Sequence, residues 1–416
     1  MDEMVGRSNR ALCARAFKVI PGGMWGHQNA ARLPVGYPQY FARGEGCRTW
    51  DVDGREYIDF MCGWGPVILG YGDPDVEAAA DAQRAVGDSL NGPSERLVEL
   101  AELVVDMVPH ANWALFSKNG TDATTTCLTI ARAGTGRRKI LIARGAYHGA
   151  VPWCSPSLLG VTAEDRAHLV HFDYNDIDSL ERAAEAARGD LAGILVSAFR
   201  HDIGRDHEMP SLAFAQRARA LATEADAALI VDDVRAGFRL DLGGSWELVG
   251  VRPDLSAWSK AIANGHALAA VTGNDRFREG ASKIFVTGSF WTAAASMAAS
   301  IATLTKLKRI DAVARMEAMG QRLRDGLSGQ ARMHGLALRQ SGPVQMPVLL
   351  FDQDDDRRIG NAFCLEALAR GVYLHPTHTL FLTTAHTETD IDAALAVTDE
   401  AFAAVSGMQA PGIQAS

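Results

Sequence analysis

Between about residues 114 and 273, short apolar runs alternate with stretches in which apolar residues recur at helical spacing. This alternation is typical of a mostly parallel sheet wrapped by helices. We therefore predict an α/β protein built around such a sheet. The predicted strands are residues 113–116, 139–143, 193–197, 227–231, 257–258 and 267–272.

The two ends of the chain have a more mixed pattern. Residues 50–59 contain two short strand-like runs around an Asp-Gly turn, which predicts a hairpin. The last helix is predicted to start at Thr387-Glu-Thr-Asp390, a capping-box pattern. Other elements predicted after residue 305 are helices at 310–328 and 358–370, an apolar run at 344–351, and strands at 371–375 and 380–384. The predicted divisions are an N-terminal segment of a small domain (1–60), a large domain (61–304) and the C-terminal part of the small domain (305–416).

Composition narrows the class of protein. The chain has 416 residues, of which 47% are hydrophobic, and can bury a large core. Its net charge of -9, without long charged runs, argues against nucleic acid or an anionic membrane as the main partner. The six cysteines are scattered and show no metal-ligand spacing. No secretory signal or run of about 18 apolar residues is evident, so we expect a cytoplasmic protein.

Polar residues that could take part in catalysis lie at the carboxyl ends of the predicted strands, where sheets of this kind bind their ligands. Lys260 follows Asp232 by about one strand-helix step, and a Gly-Thr turn, Asn119-Gly120-Thr121, lies upstream. A pyridoxal phosphate (PLP) enzyme needs an amine for a Schiff base, a carboxylate beside the pyridine nitrogen and N–H groups for the phosphate. No element is specific alone, since a Gly-Thr turn can simply join a strand to a helix. The order and spacing of all three indicate PLP chemistry.

Further motifs resemble the class III, fold type I aminotransferases, particularly the branch that contains glutamate-1-semialdehyde aminomutase. The resemblance covers nearly the whole chain and implies a large domain with a mostly parallel sheet and a smaller α+β domain from both termini. Several unusual sequence motifs are similar to those of bacterial aminotransferases that deaminate fumonisin-type amino polyols with pyruvate as acceptor. The matching segments include residues 19–27, 64–70, 87–95, 119–121, 147–149, 232–239, 285–291 and 375–378.

The resemblance implies roles for individual residues. Lys260 would bind PLP covalently and then move a proton during the reaction, while Asp232 would pair with the pyridinium. Val234 and Tyr147 would lie on the two faces of the ring.

The same resemblance implies how the phosphate is held. Gly120 and Thr121 would bind it through the N-terminus of the helix that follows them. Ser289 stands where the family has a phosphate ligand donated by the neighbouring subunit, which implies a homodimer with shared active sites.

The chain also departs from the family pattern. Asp233 stands in place of the usual Glu, and Ser197-Ala198 replaces a Glu-Pro pair. Loss of that Glu removes the usual partner of a carboxylate-binding arginine. Recognition of an α-carboxylate or of a dicarboxylic substrate is therefore in doubt.

Residues on segments that converge in this family are candidate substrate contacts. The tryptophans could line an apolar pocket or serve the core. The cationic residues could form surface ion pairs, or one could bind the carboxylate of the amino acceptor. The candidates are Trp25, Trp64, Trp153 and Trp291, together with Arg200, His201 and Arg235.

These observations predict a PLP-dependent transaminase that moves an amino group from a primary amine, including long-chain, hydrophobic or fumonisin-like amines, to pyruvate or another keto acid. The alternative is an isomerase of the glutamate-1-semialdehyde 2,1-aminomutase type. That activity must retain a diamine intermediate beneath a long mobile segment, and residues 149–174 are short for this purpose. A non-catalytic ligand-binding relative is disfavoured because Lys260 and Asp232 are both present.

Overall fold

A computed structural model of the protein describes residues 5–408. Helices and strands alternate along most of this range. The α-helices are α1 (Arg7–Val19), α2 (Pro74–Val86), α3 (Arg96–Met107), α4 (Gly120–Thr135), α5 (Ile177–Ala186), α6 (Leu212–Glu224), α7 (Arg278–Lys283), α8 (Ala294–Arg309), α9 (Ala312–Met333), α10 (Arg358–Ala369) and α11 (Glu388–Val405). The strands are β1 (Phe41–Glu45), β2 (Arg48–Asp51), β3 (Glu56–Asp59), β4 (Trp113–Ser117), β5 (Lys139–Ala143), β6 (Leu169–Phe172), β7 (Leu191–Ser197), β8 (Ala228–Asp232), β9 (Leu255–Trp258), β10 (Ala269–Gly273), β11 (Leu338–Ser341), β12 (Val348–Phe351) and β13 (Val372–Tyr373).

The largest sheet has seven strands in the order β4-β10-β9-β8-β7-β5-β6. The neighbours from β9 to β6 pair in parallel. Strands β7 and β8 are buried along their whole length, which explains their continuous apolar runs, since helices cover both faces of a parallel sheet. The predicted mostly parallel α/β fold is confirmed.

Strand β10 gives the sheet a feature that the sequence pattern did not predict. It pairs antiparallel with both β9 and β4. Two successive antiparallel pairings make β4 run in the same direction as β9. The carboxyl end of β4, and the turn that starts α4, therefore lie at the same edge of the sheet as the ends of β8 and β9.

Helix α4 lies against the central strands through a face repeated at helical spacing. Ala123, Cys127, Ile130 and Ala131 are all fully buried. Apolar residues three to four positions apart lie on one side of a helix, so this face packs on the sheet. Replacing Ile130 with Ala would cost about 2–5 kcal/mol of stability. The packing fixes the N-terminus of α4 at the carboxyl edge of the sheet.

Residues from both ends of the chain share a second sheet, in the order β1-β2-β3-β13. The predicted hairpin is present as β2 and β3, and β13 pairs in parallel with β3, with Val372 opposite Ile58. The predicted capping box is also present, because Thr387 and Asp390 exchange hydrogen bonds at the start of α11. Among residues 5–408, no helix is both long and apolar enough to cross a membrane.

One predicted strand is absent, and three observed strands were not predicted. Residues 380–384 do not form a regular strand, although Leu380, Phe381 and Leu382 are fully buried. Their N–H groups donate to three separate partners, the carbonyls of Pro347, Phe60 and Gln345. The apolar character of residues 380–384 therefore reflects their burial between other segments of the chain and not a place in a sheet. The strands that were not predicted are β1, β6 and β11.

Candidate active site

A cavity of about 260 Å³ lies at the carboxyl edge of the large sheet. Six of the seven residues proposed from the sequence as PLP contacts line it, and Ser289 does not. The lining residues are Asn119, Gly120, Thr121, Tyr147, His148, Gly149, His201, Asp232, Val234, Arg235, Ser259 and Lys260.

Lys260 follows strand β9 and begins a short 3-10 turn. Its φ of 47° is in the left-handed region, which is uncommon for a residue with a side chain and recurs at functional sites. Its Nζ donates to the carbonyl oxygen of Trp64 at 3.1 Å. Burial and the charge of Arg235 lower the pKa of Lys260 to about 7, although Asp232 opposes the change. A large share of Lys260 is therefore a neutral, nucleophilic amine near neutral pH.

Asp232 is the last residue of β8 and is buried. Its Oδ1 accepts a hydrogen bond from the N–H of Val234 at 3.0 Å. Its Oδ2 lies 2.6 Å from Nδ1 of His148, whose side chain is fully buried. A carboxylate accepts hydrogen bonds, so Nδ1 of His148 carries the proton. These two contacts fix the carboxylate at the cavity wall.

The start of α4 forms the other side of the cavity. Among residues 5–408, the N–H groups of Gly120 and Thr121 donate to no protein acceptor. A Cβ at Gly120 would lie 2.5 Å from Cγ1 of Val234, so only glycine fits this close approach. Gly149 has a φ of 127°, and a Cβ there would lie 2.3 Å from Oγ1 of Thr121. Free N–H groups and the positive end of the helix dipole suit an anion such as phosphate.

The residues of this cavity fit PLP. An amine with a lowered pKa, a fixed carboxylate and a helix N-terminus with free N–H groups face the same space. These are the three groups that the cofactor requires for a covalent bond, a protonated ring nitrogen and a bound phosphate. Tyr147 and Val234, placed on the ring faces from the sequence, line the same space.

Sequence reasoning missed several residues of the site. His148 was read only as part of Tyr147-His148-Gly149, a motif that follows strand β5, and its contact with Asp232 was not foreseen. Ser259 was missed as well, although it directly precedes Lys260. Both could have been proposed from their position beside residues at the strand ends.

The four tryptophan candidates and Arg200 lie outside this cavity. Trp64 contacts Lys260 through its carbonyl and borders a neighbouring cavity of about 350 Å³. Arg200 forms an ion pair with Glu208 at 2.8 Å. Trp25 is 68% exposed, and Trp291 is partly buried near the exposed Ser289. Of the three cationic candidates, His201 and Arg235 line the main cavity.

Comparisons with known proteins agree with this geometry. Residues 33–404 match the family model of aminotransferase class-III. The chain is 49% identical over 400 residues to aminopentol aminotransferase of Sphingopyxis macrogoltabida, covering 96% of this chain and 95% of that one. It is 32% identical to glutamate-1-semialdehyde 2,1-aminomutase 2 of Brevibacillus brevis, covering 94% of this chain and 97% of that one.

The fold comparison gives the same result. The solved structure of the PLP internal aldimine form of the FumI protein from Sphingopyxis sp. MTA144 superposes with a TM-score of 0.95. It is 49% identical, and the match covers 96% of this chain and 97% of that one. The match supports the aminotransferase prediction over the aminomutase alternative. The chain therefore belongs to the class III aminotransferases, enzymes of fold type I that transfer amino groups with PLP as cofactor.

Proposed function

We propose that the enzyme transfers the amino group of a long-chain or hydrophobic primary amine, of the fumonisin-derived type, to pyruvate or another keto acid. The observation that carries the transaminase chemistry is the convergence of Lys260, Asp232 and the N-terminus of α4 on one cavity. The donor class is supported by the 49% identity to a protein named aminopentol aminotransferase.

Lys260 and Asp232 have the central roles in this proposal. PLP, when bound, supplies an electron sink that stabilises negative charge at the substrate carbon losing its proton. Lys260 Nζ binds the cofactor and later carries the proton to and from that carbon, which suits an amine with a pKa near 7. Asp232 keeps the proton on the pyridine nitrogen, and its bond to His148 holds the carboxylate in position.

The remaining contacts orient the cofactor. The N–H groups of Gly120 and Thr121 bind the phosphate, since they have no other acceptor among residues 5–408. Val234 and Tyr147, which line the cavity, would lie on the two faces of the ring. Packing on both faces would hold the ring in one plane and exclude water from it.

The donor's chain has a place to bind beyond Trp64. The neighbouring cavity of about 350 Å³ has apolar walls that include Leu33, Phe41 and Met61, and polar groups that include Gln28 and Gln39. A mixed lining suits a long chain that carries hydroxyl groups. Each buried methylene contributes about 0.8 kcal/mol, so affinity should rise roughly fourfold per carbon until the cavity is filled.

A homodimer with shared sites is part of the proposal. Ser289 is exposed and lies outside the cavity of its own chain, as expected of a phosphate ligand given to a partner. Leu90, Phe285 and Phe290 are 53%, 92% and 67% exposed, respectively. Asp88 accepts hydrogen bonds from the N–H groups of Ala294 and Ala295, which joins the two segments that carry these apolar side chains. A partner subunit would cover them.

Two organisational features complete the proposal. We assign residues 1–60 and 305–416 to a small domain and residues 61–304 to a large PLP-binding domain, supported by the pairing of β13 with β3. We place the enzyme in the cytoplasm, supported by its six free cysteines.

The test is a panel of primary amines of increasing chain length, with pyruvate as acceptor and alanine as the measured product. Long-chain amines should give the highest kcat/KM, and the Lys260→Ala variant should give no alanine. The matched assay for the isomerase supplies glutamate-1-semialdehyde without an acceptor and measures 5-aminolevulinate. Fast isomerisation together with inert amines would overturn the proposal.

A further inference from the structure

Arg235 is a cation of the cavity that forms no ion pair among residues 5–408. It follows Val234 in the turn after β8 and lines the cavity beside Lys260. Its Nη1 donates to Nε2 of His378 at 3.3 Å and to Oγ1 of Thr379 at 3.2 Å. Both partners are neutral, and the Nε and Nη2 atoms have no acceptor among residues 5–408. One edge of the guanidinium therefore remains free to bind a ligand.

Within the described part of the chain, neutral histidines and a single carboxylate lie around Arg235. Burial lowers the pKa values of His201 and His378, and the positive charge of Arg235 lowers them as well. Both histidines are therefore neutral at pH 7. Asp232 is the one acidic residue among those that line the cavity, and its charge favours the charged form of Arg235. Its two oxygens are bound by His148 and Val234 and not by the guanidinium. A half-buried cation without a directly bound carboxylate favours an anionic ligand.

We propose that Arg235 binds the carboxylate of the keto acid acceptor. The inference rests on the proposed transaminase function and assigns it a carboxylate subsite. A guanidinium presents parallel N–H donors that match the two oxygens of a carboxylate. Arg235 and Lys260 line the same cavity, so a 2-keto acid held by Arg235 would lie near the amine that moves the proton.

The other arginine candidate differs in its contacts. Arg200 is bound to Glu208 through an ion pair and through two backbone hydrogen bonds. Binding a substrate carboxylate would require breaking that ion pair. No carboxylate of the described part of the chain is paired with Arg235, which makes it the better carboxylate ligand.

The contacts of Arg235 also explain how one cavity can serve two unlike substrates. A donor amine without a carboxylate leaves the free edge of Arg235 unbound. The hydrogen bonds to His378 and Thr379 then hold the side chain at the wall. An acceptor carboxylate can bind the free edge without displacing these contacts.

The test compares ligands that differ only in charge, using the PLP-loaded enzyme. Propionate resembles pyruvate without its carbonyl, and propionamide is its neutral analogue. Calorimetry should show that wild-type protein prefers propionate by about 10- to 150-fold, as expected for charge-assisted hydrogen bonds. The Arg235→Gln variant should lose this preference, and Arg235→Lys should retain part of it.

Kinetics with two acceptors provide the second measurement. Arg235→Gln should raise the KM for pyruvate about 10- to 150-fold, while the KM for propanal, which has no carboxylate, stays within about threefold. The matched control is Arg138→Gln, an exposed arginine paired with Asp190 before strand β5, at the opposite edge of the sheet. It should leave both KM values unchanged.

Three results would decide against the inference. Propionate binding that survives in Arg235→Gln would overturn it, and so would loss of pyruvate use in Arg200→Gln alone. Loss of bound PLP in Arg235→Gln, with the ratio of the two KM values unchanged, would instead assign Arg235 to the cofactor. If no amine yields alanine in wild-type protein, the proposed function fails. The propionate measurement requires no turnover and still tests Arg235.

Discussion

His148 and Asp232 form a buried pair in which Nδ1 of the imidazole lies 2.6 Å from Oδ2 of the carboxylate. The other nitrogen of His148, Nε2, has no hydrogen-bond partner among residues 5–408. The ring of Trp153 stacks on that of His148 with centroids 6.4 Å apart. His148 therefore acts as a positioning residue for Asp232, and its orientation is set by packing.

The first prediction concerns this pair. Asp232→Asn should keep bound PLP but lower kcat by about a hundredfold or more, because an amide cannot hold the pyridinium proton. His148→Leu should lower kcat about tenfold, through loss of a charge-assisted hydrogen bond. His148→Asn, whose amide can still donate to Asp232, should recover most of the activity. If His148→Leu were as active as His148→Asn, the hydrogen bond to Asp232 would have no role.

The second prediction concerns the pH dependence of covalent PLP attachment. Burial and Arg235 lower the pKa of Lys260 to about 7, so the reactive neutral amine accumulates as the pH rises through that value. Borohydride trapping after mixing apoenzyme with PLP should give a rate with a midpoint near pH 7. Arg235→Gln should move the midpoint to higher pH because a positive charge is removed.

Two controls accompany this experiment. Arg138→Gln should leave the midpoint unchanged, because Arg138 is exposed and distant from the site. Peptide mapping should place the reduced adduct on Lys260. An adduct on Lys118, which donates to Ser296 outside the cavity, would contradict the assignment.

The third prediction tests whether the sites are shared between subunits. Ser289→Asp should release PLP, because its carboxylate repels the phosphate, and Lys260→Ala should be inactive. Co-expressing the two variants should restore about one quarter of wild-type activity, since half of the dimers are mixed and each has one intact site. No recovery would mean that Ser289 serves its own chain. An active monomer in light scattering would also exclude the shared site.

The fourth prediction concerns the stability contributed by Asp233. Burial raises the pKa of Asp233 to about 7, although Ser245 donates to its Oδ2 at 2.9 Å. The folded protein therefore holds this proton more tightly than the unfolded chain, whose carboxyl titrates near its usual, lower value. The resulting stability is present at low pH and is lost as the pH rises toward and through 7.

Replacing Asp233 with Asn should remove the loss of stability that accompanies rising pH. The free energy of unfolding of the variant, relative to wild type, should increase by roughly 3 kcal/mol between pH 5 and pH 8. Thermal unfolding at the two pH values measures the change. Asp355→Asn, at an exposed position, is the control and should show no such trend. A constant difference between Asp233→Asn and wild type would contradict the prediction.

The sequence by itself determined the chemical elements of the site. Local periodicity predicted strands β4, β5, β7, β8, β9 and β10, and strand ends of a parallel sheet meet at one edge. Lys260, Asp232 and the Gly120-Thr121 turn could therefore be placed together from the sequence alone. The antiparallel strand β10 did not disturb this outcome, because two reversals return β4 to the common direction.

Only the tertiary structure decided the contacts between segments that are distant in sequence. From the sequence, Arg200 and Arg235 were equal candidates for binding a carboxylate. In the structure, Arg200 pairs with nearby Glu208, whereas Arg235 contacts His378 and Thr379 from the C-terminal region. Likewise, residues 380–384 are apolar enough for a strand, but their N–H groups donate to residues 60, 68, 345, 347 and 386 instead of to a single partner strand. Hydrophobic periodicity reports which side of an element is buried. It does not report which partner a polar group finds, because that depends on the packing of the whole chain.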